Sequence, residues 1–175
     1  MSWYGKFVKV TKDKKYVSVL RKTYNYAWKH SDDKSTKIGV VLLDKKGKVI
    51  LTSSNHFPKG TSKILGALRR PKKYAVNNHA ERSVIYEAAE QGIKTDGLIM
   101  VMPWFPCLSC ANAIISSGIE KLICHKQMLD KTPEDWKQEY KDSIHLLKAN
   151  NIKVIMYDGK VGKCKGLFRE VEWNP

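Results

Sequence analysis

A chain of 175 residues, 42% of them hydrophobic, is long enough to bury a sizeable core and suits one domain spanning 1–175. Its 32 lysines and arginines outweigh 17 acids, and the net charge of +15 implies attraction to phosphate without saying which phosphate. The sequence has no apolar run of about 18 residues, so no membrane-spanning helix is expected, and Met1 to Val10 lacks the apolar core of a secretory signal. A cytoplasmic location is therefore expected.

The first periodic segment holds Val17, Leu20, Tyr24, Ala27 and Trp28 at three- and four-residue spacing, which predicts an amphipathic helix from about Lys14 to His30. Ile38 to Leu43 reads as a buried strand. Asp44-Lys45-Lys46-Gly47 turns the chain, and Val49-Ile50-Leu51 makes an antiparallel partner. Residues 53–77 lack clear periodicity, and a loop of that length inside a compact domain is usually functional or mobile. Ala80, Val84, Ile85, Ala88 and Ala89 predict a helix ended by Gly92. Leu98 to Met102 is a short strand, Cys107 to Ser117 a helix stopped by Gly118, and Lys121 to Cys124 a further strand. Thr132-Pro133-Glu134-Asp135 opens a long helix with a cap, a proline and acids in its first turn. That helix runs to about Asn150, and Ile152 to Tyr157 is the last clear strand. The order α-β-β-α-β-α-β-α-β predicts an α/β domain with a mixed five-stranded sheet and helices on both faces.

The basic excess is lysine-rich: only Arg21, Arg69, Arg70, Arg82 and Arg169 are arginines, and the lysines are scattered. That distribution reads first as a solubilising surface and second as steering of a nucleotide. A nucleic-acid groove ranks last, because strand binders usually add a cluster of stacking aromatics. The four cysteines do not resemble a disulfide framework: Cys107 and Cys110 form a C-x-x-C pair, while Cys124 and Cys164 stand apart.

Two fragments carry chemistry. Asn78-His79-Ala80-Glu81-Arg82 and Pro106-Cys107-Leu108-Ser109-Cys110 together supply one imidazole, one carboxylate and two thiols. His79, Cys107 and Cys110 can hold Zn2+ and leave one coordination position open, with Glu81 placed to move protons beside it. Both fragments sit where a helix begins, and a helix N-terminus favours thiolate. Two thiolates and a neutral imidazole cancel the +2 of the ion. Such a site needs help to ionise its water, which Glu81 can give. His79 and Glu81 are two apart, however, and on a regular helix they would face different ways. Two other readings compete. Cys107 and Cys110, with Trp104 upstream, could form a thioredoxin-like redox pair. Cys124 or His125 could close a structural zinc site as a fourth ligand. His30, His56, His125 and His145 are expected to be surface or core residues.

The spacing H-x-E…P-C-x-x-C is the mark of zinc nucleobase deaminases. With these residues the chain resembles the cytidine/deoxycytidylate (dCMP) deaminase family, especially its bacterial and phage dCMP deaminases. The resemblance covers most of residues 15–157. It includes Asn55-His56-Phe57-Pro58-Lys59-Gly60, similar to an N-x-x-P-x-G loop, and Arg70-Pro71-Lys72-Lys73-Tyr74. It also includes Trp104-Phe105-Pro106-Cys107 and Ala111 to Ile119. It implies a three-layer α-β-α fold and hydrolytic deamination of dCMP to dUMP and ammonia. It further implies zinc on His79, Cys107 and Cys110, with Glu81 as proton shuttle. Asn55 would bond the sugar and the loop through Pro58 would close the pocket. Ala80, Trp104 and Phe105 would line the base site. Where many members carry basic residues before the first central strand, this chain has Ser35, Thr36 and Lys37. Arg70, Lys73 and Tyr74 are therefore the expected phosphate contacts. The resemblance also implies a homo-oligomer, often a hexamer, regulation by dCTP and dTTP, and a cytoplasmic location, the host's for a phage protein. Rival readings are a deaminase of tRNA or other nucleic acid and a non-catalytic zinc-stabilised binding module.

Overall fold

The computed structural model describes residues 7–61 and 76–175. In chain order its elements are β1 (Val8–Thr11), a 3-10 turn (Lys14–Tyr16), α1 (Val17–His30), β2 (Gly39–Leu43) and β3 (Val49–Ser54). Then come α2 (Ala80–Glu90), β4 (Ile99–Val101), α3 (Leu108–Ser116), β5 (Lys121–His125) and α4 (Lys126–Asp130). The chain ends with α5 (Glu134–Ala149), β6 (Lys153–Tyr157), β7 (Gly166–Phe168) and β8 (Val171–Trp173).

Six strands form one mixed sheet in the order β1-β6-β5-β4-β2-β3. β1, β6, β5 and β4 run parallel, while β2 is antiparallel to both β4 and β3. The alternation of side chains along these apolar strands sorts them onto two cores. Val40, Leu42, Met100 and Leu122 point to the core shared with α2, α3 and α5. Val41, Leu43, Val101 and Ile123 point to the core capped by Leu20 and Tyr24 of α1. Each fully buried aliphatic side chain contributes roughly 1.5–3 kcal/mol, so both faces hold the sheet. The helix α1 lies very close to β2: a Cβ on Gly39 would stand 2.1 Å from the Thr23 carbonyl oxygen. Only glycine admits that approach.

The helices on both faces agree with the expected α/β layering, but the sheet has six strands and not five. The additional strand is β1, a four-residue edge strand paired only with β6. Its Val8 is buried while Lys9 and Val10 face solvent, so a single side chain of the strand anchors it to the core. The sequence reading also missed α4 and the two-stranded sheet β7-β8. Parallel β4, β5 and β6 all end toward one rim, where ligands of open α/β sheets usually bind. Among the described residues no helix is long and apolar enough to cross a membrane.

Candidate metal centre and active site

His79 is the N-cap residue of α2, with φ −64° and ψ 149°. Its peptide is extended, so the facing rule for a regular helix does not apply to the pair His79 and Glu81. The imidazole leaves the chain before the helix starts, and Glu81 lies in the first turn. The approach to His79 is fixed by a two-way bridge: His56 N donates to Asn78 O at 3.3 Å and Asn78 N to His56 O at 3.0 Å. The bridge uses backbone atoms alone, so it accepts a histidine at position 56.

Cys107 caps α3 in the same way, with φ −66° and ψ 169°. The segment from β4 into α3 is held from three sides. His125 N donates to Pro103 O at 3.1 Å, Ser143 Oγ to Pro106 O at 2.8 Å, and Leu108 N to Glu139 Oε1 at 3.2 Å. The last of these puts a carboxylate on the open N-terminus of α3, where negative charge is favoured.

These two helix starts bring His79, Cys107 and Cys110 together, their donor atoms all within 4.8 Å of one another. His79 Nδ1 is 3.5 Å from Cys107 Sγ and 3.5 Å from Cys110 Sγ. Tetrahedral zinc with Zn–S of about 2.3 Å and Zn–N of about 2.05 Å separates its sulfur and nitrogen ligands by about 3.5 Å. The donor set therefore fits zinc in kind and in spacing, with Nδ1 as the ligating nitrogen. Among the described residues no fourth side chain joins the trio. Cys124 is fully buried and outside it, and burial pushes its thiol up. His125 is engaged elsewhere: its Nδ1 is 2.8 Å from Tyr24 Oη and its Nε2 is 2.8 Å from Gly159 O.

Without metal the trio shares protons. The hydrogen bond with Cys110, then that with His79, pulls the Cys107 thiol down, while its bond to Cys107 and burial push Cys110 up. The Cys107 bond raises His79. A +2 ion touching both sulfurs favours thiolate at each and ends that division. Beside them Glu81 is 5% exposed, and desolvation holds its carboxyl above the usual carboxylate range. A raised, buried carboxyl next to a metal site makes Glu81 a candidate proton-transfer group.

His79, Cys107 and Glu81 line a cavity of about 710 Å³, within the roughly 300–1,000 Å³ of small-molecule sites. Asn55, His79, Ala80, Glu81, Trp104, Phe105 and Cys107 all line it, as do Ser35 and Thr36. Trp104 and Phe105 pack into an aromatic wall. Trp104 meets Phe168 edge-to-face at 4.7 Å, Phe105 meets Tyr140 at 6.1 Å, and Trp104 Nε1 donates to Thr132 Oγ1 at 3.0 Å. Asn55 is a bracket: its Oδ1 accepts from Ser31 Oγ and Ile38 N, and its Nδ2 donates to Thr36 O. One amide N–H remains beyond those bonds. Pro58 is exposed and is not part of the lining. Arg70, Lys73 and Tyr74 lie outside the described residues.

Sequence reasoning missed Asp33, Asn77, Trp136, Tyr140, Phe168, Arg169 and Glu170, which also line the cavity. Three of them come from the β7-β8 hairpin, in a tail for which the sequence suggested no role. Hydrogen bonds sew this hairpin to residues 35–37: two between backbones, Lys37 N to Leu167 O and Glu170 N to Ser35 O, and one from Arg169 N to the Thr36 side chain at Oγ1. Its turn residues Arg169 and Glu170 have φ of 48° and 68°. Such turns usually carry Asn or Gly, so composition gave no warning. Alternating Leu167/Phe168 and Val171/Trp173 was the available signal.

With the geometry established, the relatives decide the family. The family model described as cytidine and deoxycytidylate deaminase zinc-binding region matches residues 11–126, about two thirds of the chain. The chain belongs to this deaminase family. It is 31% identical over 99 residues to deoxycytidylate deaminase of Mus musculus, covering 53% of this chain and 54% of that protein. It is 33% identical over 100 residues to an uncharacterized deaminase of Aliivibrio fischeri, covering 57% and 65%. The chain thus spans between about half and two thirds of the length of these curated relatives. Its fold is similar to that of dCMP deaminase from the cyanophage S-TIM5 in complex with dCMP and dUMP. That likeness has a TM-score of 0.60 at 17% identity and covers 85% of this chain and 99% of that one. The family match ends at residue 126, so the deaminase segment supplies the metal trio and Glu81. The hairpin wall lies beyond it.

Proposed function

We propose that this chain, as one deaminase domain, hydrolyses dCMP to dUMP and ammonia. The observation that carries the proposal is the shared floor of one cavity. There a three-donor site of zinc-ligand spacing stands beside a buried, proton-hungry Glu81. Family membership and the mouse deoxycytidylate deaminase support the substrate class.

His79, Cys107 and Cys110 would hold zinc, which would supply Lewis acidity to ease ionisation of the attacking water. Glu81 takes a proton from the attacking water and delivers it to ring N3, then takes the proton of the new C4 hydroxyl and gives it to the amine, which leaves as ammonia. Burial suits it to both directions, since a carboxyl held above the usual carboxylate range can accept a proton and give it up again. Trp104, Phe105 and Tyr140 shield the ring from bulk water and hold it over the floor. Ser35, Thr36 and Arg169 stand at the outer part, where the sugar and phosphate would extend; Arg70, Lys73 and Tyr74 stay candidates for that contact.

A closed structural zinc site finds no support, because no fourth ligand joins the trio among the described residues. The test is metal analysis together with deamination assays on dCMP, CMP, deoxycytidine, single-stranded DNA and RNA. One equivalent of zinc and activity on free dCMP are expected. Activity on strands alone, or none on any cytosine with zinc present, overturns the proposal. Homo-oligomerisation and control by dCTP or dTTP belong to the same proposal. Light scattering and assays with either effector test them.

A further inference from the structure

The cavity contains a buried polar atom without a partner. Asn77 is 5% exposed and lines the cavity, and its Oδ1 has no hydrogen-bond partner among the described residues. Buried acceptors are nearly always satisfied, so one left open in a cavity wall points to a ligand.

The amide's orientation is set at its other end. Asn77 Nδ2 donates to Asp33 Oδ2 at 3.1 Å. A carboxylate only accepts, so the amide cannot reverse, and Oδ1 is a fixed, buried acceptor on a residue of the cavity wall. Asp33 is anchored in turn, its Oδ1 accepting from Ser35 N at 2.8 Å and Thr36 N at 3.4 Å. Asp33 is thus a positioning residue for Asn77. The two also span the depth of the site. Asn77 is two residues from the metal-facing His79, while Ser35, on the Asp33 turn, accepts from Glu170 N at the rim. Asn77 therefore stands between floor and rim.

The donors of a deoxycytidine nucleotide are few. The ring carbonyl, ring N3 and phosphate dianion only accept. The exocyclic amine is the leaving group and belongs at the floor with Glu81. One donor remains, the sugar hydroxyl. We propose that Asn77 is a specificity-determining residue whose Oδ1 accepts a hydrogen bond from the 3′-hydroxyl of the bound nucleotide. This rests on the deoxycytidylate reading above. It gives Asn77 a role in sugar recognition that the sequence suggested for Asn55, whose Oδ1 already accepts two bonds within the protein.

The experiment measures binding by calorimetry, with zinc-loaded protein and two ligands: dUMP and 2′,3′-dideoxyuridine monophosphate. Wild type is expected to bind dUMP about tenfold more tightly, the worth of one buried hydrogen bond. Asn77→Ala should weaken dUMP and leave its dideoxy analogue unchanged, so that the preference disappears. Asp33→Asn, which frees the amide to reverse, should shrink the preference as well; a purely structural role would weaken both ligands equally. The wild-type comparison needs no variant and so survives any folding defect. Equal affinity of wild type for the two ligands overturns the inference, as does an undiminished preference in Asn77→Ala. If wild type binds neither nucleotide, the deoxycytidylate reading itself falls and takes this inference with it.

Discussion

Replacing Glu81 by Gln separates the metal site from the proton chemistry. The two side chains have nearly the same shape, and Glu81 is 5% exposed in a tightly lined floor, so the cavity should persist. The metal donors are His79, Cys107 and Cys110, so zinc should persist too. What is lost is proton acceptance. A positioned acid–base group is worth about 10²–10⁴ in rate, or roughly 3–5.5 kcal/mol of barrier. Glu81 is asked to move protons in two stages, so the upper end is expected. The effect on folding should be small and of mixed sign. The variant no longer buries a carboxyl, but it loses a negative charge in the first turn of α2 worth about 0.3–1 kcal/mol. For a domain of this size each kilocalorie moves the thermal midpoint by about 2–4 °C. The assay follows loss of cytosine absorbance from dCMP, with zinc measured on the same sample. Turnover within about threefold of wild type, far less than an acid–base group is worth, would refute the role given to Glu81. Zinc loss alongside the activity loss would refute the separation.

Chelation should lower the thermal midpoint and zinc should restore it: a ligand at about 100 times its Kd adds about 2.7 kcal/mol. Cys107→Ala should abolish that response, and a variant that still responds in full would place the metal elsewhere. Gly39→Ala should destabilise by about 1–3 kcal/mol or more, since its Cβ would stand 2.1 Å from the Thr23 carbonyl oxygen; an unchanged urea midpoint would show that α1 can move away. Burial lowers the pKa of His125, against smaller opposing effects of the Gly159 carbonyl, Asp158 and Asp130. Below about pH 6.5 the unfolded chain takes the proton before the folded one does, so this contribution is complete above that pH and drains as pH falls. His125→Gln should therefore lose less stability than wild type between about pH 7.5 and 5.5, and an equal loss in urea titrations would refute the assignment.

The parts of the site legible in the sequence were those whose chemistry is carried by residue type. An imidazole, a carboxylate and two thiols at two helix starts are rare enough to name a metal and a base. The central strands were equally legible, because Gly39 to Leu43 is apolar on both faces. Elements stabilised by distant partners were not. β1 pairs with β6, nearly the whole chain away, and its four residues offer little periodicity. The β7-β8 turn adopts positive φ on arginine and glutamate, a conformation stabilised by its bonds to Ser35 and Thr36 and not by local preference. His125 was read as an ordinary core or surface residue. Its burial between Tyr24, Tyr157 and Trp173 depends on three elements meeting.

The same distinction governs the substrate side of the cavity. Asn55 and Asn77 are the same residue type, both buried and both lining the cavity. Sequence pattern singles out Asn55, since it opens the N-x-x-P-x-G loop. Hydrogen-bond bookkeeping distinguishes them differently. Asn55 Oδ1 accepts two protein donors, whereas Asn77 Oδ1 accepts none among the described residues. An asparagine whose acceptor is saturated can offer a ligand only its remaining N–H, whereas one whose acceptor is open can also offer its oxygen. The two side chains thus differ in whether they can accept. A phosphate or ring carbonyl could use an N–H of either, but only Asn77 can accept from a hydroxyl. Substituting the two asparagines in turn should therefore produce different selectivity changes. Asn77→Ala should erase discrimination by the 3′-hydroxyl. Asn55→Ala should chiefly cost stability, about 1–3 kcal/mol through the unsatisfied Ile38 N–H and Thr36 carbonyl. If Asn55→Ala leaves the thermal midpoint in place and alone removes the hydroxyl preference, sugar recognition belongs to Asn55 and the bookkeeping has assigned it to the wrong asparagine.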